Sequence, residues 1–279
     1  VEIGGPAQGD VIDARGLILA PALIDVHGDA FERQVMPRPG VFFPIETAVI
    51  DTDRQLASNG IATAYHALTL GWEPGLRDVA RGRTLMQAIR DLAPRLLVEN
   101  RIQLRWETFA FEALDIIEWA LDAPLLPSVA FNDHTSMTMR GFDIPIQDRA
   151  FEFSPDFVVG DINDTRMRKR NESNMRRSGL PEAEYMALLA QVWDRRSEVP
   201  AAIDRVAAQA RAKGAPMLSH DDTRAETRTW FRDRGAKVAE FPMVLEAVEA
   251  ARTHGDTIIF GAPNATRGGS HIGSLGAGD

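Results

Sequence analysis

Seven short apolar runs, each rich in strand-forming residues and mostly separated by stretches with helical periodicity, constrain this chain more than any other feature. The runs at 22–26, 61–68, 102–106, 125–131, 217–219, 237–241 and 257–260 read as strands. Between them, 78–97, 112–121, 182–212 and 243–254 read as helices, the last stopped by Gly255. Strand and helix in alternation build a parallel sheet covered by helices, and an eight-unit barrel suits the pattern better than an open sheet. With 279 residues, 44% of them hydrophobic, the chain is long enough for one main α/β body. The expectation is a (β/α)8 TIM-type barrel over 21–279 that lacks its last unit, because the chain stops at Asp279 soon after the seventh run. Residues 1–20 are too few for a domain and read as a remnant of a small β-sandwich.

The polar residues cluster where the runs end. These ends are Asp25-Val26-His27-Gly28-Asp29, Tyr65-His66, Arg105-Trp106-Glu107, Asn132-Asp133-His134, Ser219-His220-Asp221-Asp222, Glu240-Phe241-Pro242 and Gly261-Ala262-Pro263-Asn264. In a barrel the C-terminal strand ends converge on one face, where the connecting loops form the active site. A single His or Glu at such a place is usually a structural hydrogen-bonding group; six ligand-capable ends out of seven point to chemistry.

Composition removes several alternatives. The chain has no cysteine, so disulfides and thiolate ligands are excluded and any metal is held by nitrogen and oxygen. A net charge of -9 argues against binding nucleic-acid backbone. There is no apolar run long enough for a membrane helix and no secretory signal pattern, which leads to the expectation of a soluble, cytoplasmic protein without a membrane partner. Against the acidic balance stands a basic run, Arg166, Arg168, Lys169, Arg170, Arg176 and Arg177, readable as a solvated loop or helix face or as a lid meeting an anionic substrate.

His27 and Asp29 are two apart on extended backbone, so both can face one cation; the alternative is a helix-capping Asp29 and a rim hydrogen bond from His27. Glu107, His134 and His220 occupy further strand ends, and the four places together favour a divalent metal, zinc being the common choice for nitrogen and oxygen ligands in hydrolases. Such an ion makes a bound water acidic, and Asp221 or Asp222 is placed to exchange its proton, with helix capping as the alternative for each. The stretch 261–271 carries glycines with Arg267, Ser270 and His271 as donors, a composition suited to phosphate or phosphonate, or else to a flexible loop. Arg38, in the stiff Met36-Pro37-Arg38-Pro39-Gly40 segment, is a second candidate anion contact. Ser219-His220-Asp221 is not a serine triad, because adjacent strand residues point apart. The glycines of 4–9 follow no strand and make no dinucleotide fingerprint.

The segment 19–29, LAPALIDVHGD, resembles the opening strand of the amidohydrolase superfamily. The motifs PRPG, LRWE, NDH, SHDD, AEFP, GAPN and RGGSH extend that resemblance along nearly the whole chain, toward a branch that acts in phosphonate degradation. The resemblance implies a metal-dependent barrel hydrolase that cleaves the triphosphate of a ribose methylphosphonate to its 5-phosphate and pyrophosphate. It also implies two divalent ions, with His27, Asp29, Glu107, His134 and His220 as ligands and Glu107 as their bridge. Arg38, Asn264, Arg267, Ser270 and His271 then face the phosphates of a small phosphorylated sugar, and homo-oligomerisation is allowed. A late strand carrying a metal-binding aspartate in the family has no counterpart here, and the NDH motif continues as Thr135-Ser136-Met137-Thr138-Met139-Arg140. A piece of a longer protein is therefore expected. A relative that cleaves a C–N bond or another phosphorylated substrate, and a barrel that binds without catalysing, are the competing expectations.

Overall fold

A computed structural model describes residues 9–10, 12–123, 125, 127–270, 275–276 and 278. Seven strands form one sheet: β1 (Leu23–Gly28), β2 (Ile61–Leu70), β3 (Glu99–Glu107), β4 (Ser128–Asn132), β5 (Met217–His220), β6 (Val238–Glu240) and β7 (Thr257–Ile259). Their order in space is their order in sequence, and every adjacent pair is parallel. Each expected strand is present, with ends shifted by a few residues.

The helices are α1 (Ala30–Val35), α2 (Ile45–Ser58), α3 (Val79–Leu92), α4 (Leu114–Asp122), α5 (His134–Met139), α6 (Thr165–Ser178), α7 (Glu182–Trp193), α8 (Val199–Ala212), α9 (Ala225–Asp233), α10 (Leu245–Thr253) and α11 (Ala262–Arg267). The expected single helix over 182–212 is two helices joined by a 3-10 turn at Asp194–Glu198. Pro200 explains the break: it lies in the first turn of α8, where its missing N–H costs nothing, and it could not sit inside a continuous helix.

The sheet curls strongly. β1 and β6 are five strand spacings apart, about 24 Å in a flat sheet at about 4.8 Å per spacing. Yet His27 Nδ1 at the end of β1 lies 2.9 Å from Glu240 Oε1 at the end of β6, and Gln103 Nε2 on β3 donates to the same oxygen at 2.9 Å. Only a sheet rolled toward closure brings these side chains together, so the fold is a curled, partial TIM-type barrel of seven parallel strands.

Alternation along β3 shows how the sequence divides the two faces. Ile102, Leu104 and Trp106 point outward into the main core, which they share with Ile116 and Ile117 of α4, Val206 of α8 and Phe131 of the neighbouring β4. Gln103, Arg105 and Glu107 point inward and make polar contacts with β6, β4 and α5. Period-two backbone thus sends apolar residues to the helices and chemistry to the interior. Among the described residues before Leu23 there is no strand, and Ile12, Leu17, Ile18 and Leu19 are exposed. No described helix is long and apolar enough to cross a membrane.

Candidate metal centre and adjoining cavity

The C-terminal strand ends bring three imidazoles into one cluster. The ring of His220 lies 5.6 Å from that of His27 and 5.7 Å from that of His134, between centroids. Two triads share His220: His27, His220 and Glu240 form one, and His134, His220 and Asp221 the other, each with ligand-capable atoms within 4.8 Å of one another. Asp29 Oδ2 is 3.6 Å from His27 Nε2, and Glu107 Oε1 is 2.6 Å from His134 Nδ1. All five residues expected as metal ligands therefore lie in or against the cluster, and Glu240 joins them.

Backbone geometry aims two of these groups. Asp221 has φ 58° and Phe241 has φ 52°, left-handed values uncommon for residues with side chains. The turn at Asp221, whose N–H donates to Glu240 O at 2.9 Å, brings its carboxylate within 3.0 Å of His220 Nδ1. Strand alternation alone would send these neighbours to opposite faces. Phe241 in turn packs edge-on against both His27 and His220, at 4.9 and 5.3 Å.

The cluster is strongly polarised. Burial works against a charged His27, yet the carboxylates of Asp29 and Glu240 raise its pKa to about 9. His134 is likewise opposed by burial and raised to about 9 by Glu107 and Asp221. Burial disfavours the carboxylates too, but His134 and Arg105 lower Glu107 to about 2, and His27 and Arg105 lower Asp29 to about 2. Asp221 and Glu240 are also held below the ordinary carboxylate range by neighbouring imidazoles, against their burial. His220 differs: burial pushes its pKa down, which keeps the ring neutral.

That neutral ring is the test of whether a cation fits. His220 Nδ1 and Nε2 are both buried without a hydrogen-bond partner, as is Glu240 Oε2. Nδ1 is 3.0 Å from Asp221 Oδ2 and Nε2 is 3.8 Å from Glu240 Oε2, close contacts that lack hydrogen-bonding geometry or distance. Buried polar atoms are nearly always paired, and lone pairs of imidazole and carboxylate converging on one space are the donor set of a divalent metal. The residues present fit such an ion.

Beside the cluster opens a cavity of about 310 Å³, within the range of small-ligand sites. Glu107 and His134 form its metal-side wall; Arg77, Arg105, Arg140, Arg170 and Arg177 make the rest strongly cationic, with Trp72, Glu73, Asn171, Asn174 and Tyr185 between them. Part of the basic run 166–177 therefore faces a site: α6 turns Arg170 and Arg177 to the cavity, while Arg166, Lys169 and Arg176 stay exposed.

The remaining expected site residues lie elsewhere. Asp222 is on the helix side of β5, where it accepts from Ser219 Oγ at 2.5 Å and pairs with Arg228. Arg38 is exposed in the loop after α1, and Asn264 and Arg267 sit on α11; none of them, nor Ser270, lines the cavity. His271 lies outside the described residues. Sequence reasoning passed over Glu240 and most of the cavity arginines. Position at a β6 strand end was the available signal for Glu240; Arg77 and Arg140 carry none, since their placement depends on loops.

A parallel, curled α/β sheet with an imidazole–carboxylate cluster at its C-terminal strand ends defines a barrel-type protein with a group of residues that could hold a metal ion. The chain is 29% identical over 280 residues to α-D-ribose 1-methylphosphonate 5-triphosphate diphosphatase of Escherichia coli (strain K12). The similarity covers 96% of this chain, which spans 66% of the length of that relative. The motifs point to a resemblance with proteins of phosphonate degradation, and this similarity agrees with that resemblance. No family model matches the chain, and no solved structure matches it.

Proposed function

We propose that this chain carries the active centre of a metal-dependent phosphoanhydride hydrolase that converts α-D-ribose 1-methylphosphonate 5-triphosphate to the 5-phosphate and pyrophosphate. The observation that carries the reading is His220, buried with both ring nitrogens lacking hydrogen bonds between two carboxylates, in a cluster whose His134 and Glu107 wall a cavity crowded with arginines. The name of the relative supplies the substrate.

In this reading His27, Asp29, Glu107, His134, His220 and Glu240 hold one or two divalent ions, zinc being the expected metal. A cation held there supplies Lewis acidity and makes water acidic enough to furnish a nucleophile near neutral pH. Asp221, kept ionised beside His134 and His220, accepts the proton of the attacking water. Arg105, anchored by Asn132 Oδ1 at 3.1 Å and lying 3.7 Å from Asp29 Oδ1, counters the negative charge that builds on phosphorus oxygens. Arg77, clamped by Glu32 at 2.8 and 2.9 Å, orients the phosphate chain. The partner is a small phosphorylated sugar, and the acidic surface fits neither nucleic acid nor an anionic membrane.

Elemental analysis combined with a pyrophosphate-release assay on the ribose methylphosphonate triphosphate tests the reading. Stoichiometric metal with pyrophosphate release supports it. Metal without pyrophosphate removes the substrate assignment, and turnover of a cyclic amide in its place favours C–N hydrolysis. Absence of metal with retained ligand binding favours a non-catalytic barrel.

A further inference from the structure

The arginines of the cavity are not equivalent. Arg77 is paired with Glu32, Arg177 with Glu73, and Arg105 lies near Asp29. Arg140 and Arg170 have no carboxylate within ion-pair distance among the described residues. Carbonyl oxygens fix them: Arg140 donates from Nε to Ile144 O at 3.0 Å and from Nη1 to Met137 O at 2.5 Å. Arg170 Nη1 donates to Thr138 O at 2.6 Å and to Arg140 O at 2.7 Å, which ties α6 to the end of α5. The Nη2 groups of both are without a hydrogen bond among the described residues. Two half-buried guanidinium groups are thus locked side by side at a cavity wall, with unspent donors and no negative charge to offset them. Unpaired charge withdrawn from water is costly, and a planar guanidinium fork matches phosphate oxygens.

Their position says which phosphate they meet. Helix α5 begins at His134, part of the metal-type cluster, and ends beside Arg140. Six helical residues rise about 9 Å, so the arginine pair is separated from the cluster by the length of α5 while lining the same cavity. We propose that Arg140 and Arg170 form a subsite for the terminal diphosphate of the substrate, the portion that leaves as pyrophosphate. This deepens the function proposed above, on which the word "leaves" depends; binding of the diphosphate itself does not.

The test uses inorganic pyrophosphate and inorganic orthophosphate as calorimetric probes on the metal-free protein, and pyrophosphate as a product inhibitor of the metal-loaded enzyme. The wild type is expected to bind pyrophosphate at least tenfold more tightly than orthophosphate, because the diphosphate carries more negative charge and sets one phosphate on each fork. R140Q and R170Q should each weaken pyrophosphate binding tenfold or more, R170K should lose less, and the exposed K169Q should bind as the wild type. If the enzyme assay works, KM and the inhibition constant rise in R140Q and R170Q far more than kcat falls. Folded R140Q and R170Q proteins that bind pyrophosphate like the wild type overturn the proposal, and so does equal affinity for the two probes. Should R140Q not fold, R170Q decides, since Arg170 lies on a polar outer helix. Pyrophosphate binding without substrate turnover leaves the subsite standing and removes only the reaction.

Discussion

Replacing Arg228 with methionine removes a fully buried cation from the helix side of β5. Its guanidinium bonds to Ser219 Oγ, Ala236 O and Val238 O, lies 3.4 Å from Asp222 Oδ2 and 3.7 Å from Asp256 Oδ2. Asp256 keeps Arg232 at 3.3 Å, but Asp222, 1% exposed and with its pKa already pushed up to about 6 by burial, keeps the hydroxyl of Ser219 and the charge of Arg149. Breaking a buried pair from one side costs about 3–5 kcal/mol, most of it the stranded charge. At roughly 2–4 °C per kcal/mol for a chain of this size, the melting temperature should fall by roughly 6–20 °C. The cause is separable by a cycle with Asp222→Asn: if the stranded carboxylate dominates, R228M should cost about 1–3 kcal/mol less in the D222N background. Urea denaturation and thermal circular dichroism of the four proteins measure this. A melting temperature within about 2 °C of wild type in R228M, or an identical cost in both backgrounds, would refute the reasoning.

Three further outcomes bear on the site. His220→Asn should abolish stoichiometric metal uptake, measured by elemental analysis, because it removes the ring shared by both triads. Glu240→Gln keeps the size of the side chain but removes the charge beside His27 and His220, and titration with zinc should show affinity lowered by about 10–100-fold. Protons compete with metal for His27 and His134: both are held protonated up to about pH 9 in the metal-free cluster, and a ligating imidazole must be neutral. Apparent affinity should therefore rise from pH 6 toward about 9 and then level, with proton release seen by calorimetry in buffers of different ionisation enthalpy. A flat profile across that range would show that neither ring binds the ion.

The strand framework was legible because β-branched and aromatic runs bounded by polar ends survive without knowledge of tertiary packing. Helices α6 and α9 were not. The sequence of α6, TRMRKRNESNMRRS, buries only Met167 and Asn171, so it offers no apolar stripe to read, and its position is fixed by bonds to α5 and the loop after β2. Helix α2 escaped notice although it buries Ile45, Val49 and Leu56. The imidazoles and acids of the site could be found because strand ends share one face by topology. Glu240 could not be distinguished from an ordinary strand-end acid until the curl of the sheet set it against His27. Arg140 and Arg170 meet across 30 residues of loop and helix, a distance no local pattern encodes.

At the left-handed turn Phe241 N–H donates a hydrogen bond to Ile259 O at 2.9 Å, so β7 helps hold the ring that packs against His27 and His220. β7 is three residues long, half-exposed, and paired among the described residues with β6. The histidine cluster thus takes part of its rigidity from a strand that supplies no ligand to it. Opening of that strand would let the Phe241 side chain swing off the imidazoles and release the two ligand-bearing ends before the core loosens. Amide hydrogen exchange at Phe241 becomes a direct gauge of how long the cluster stays assembled.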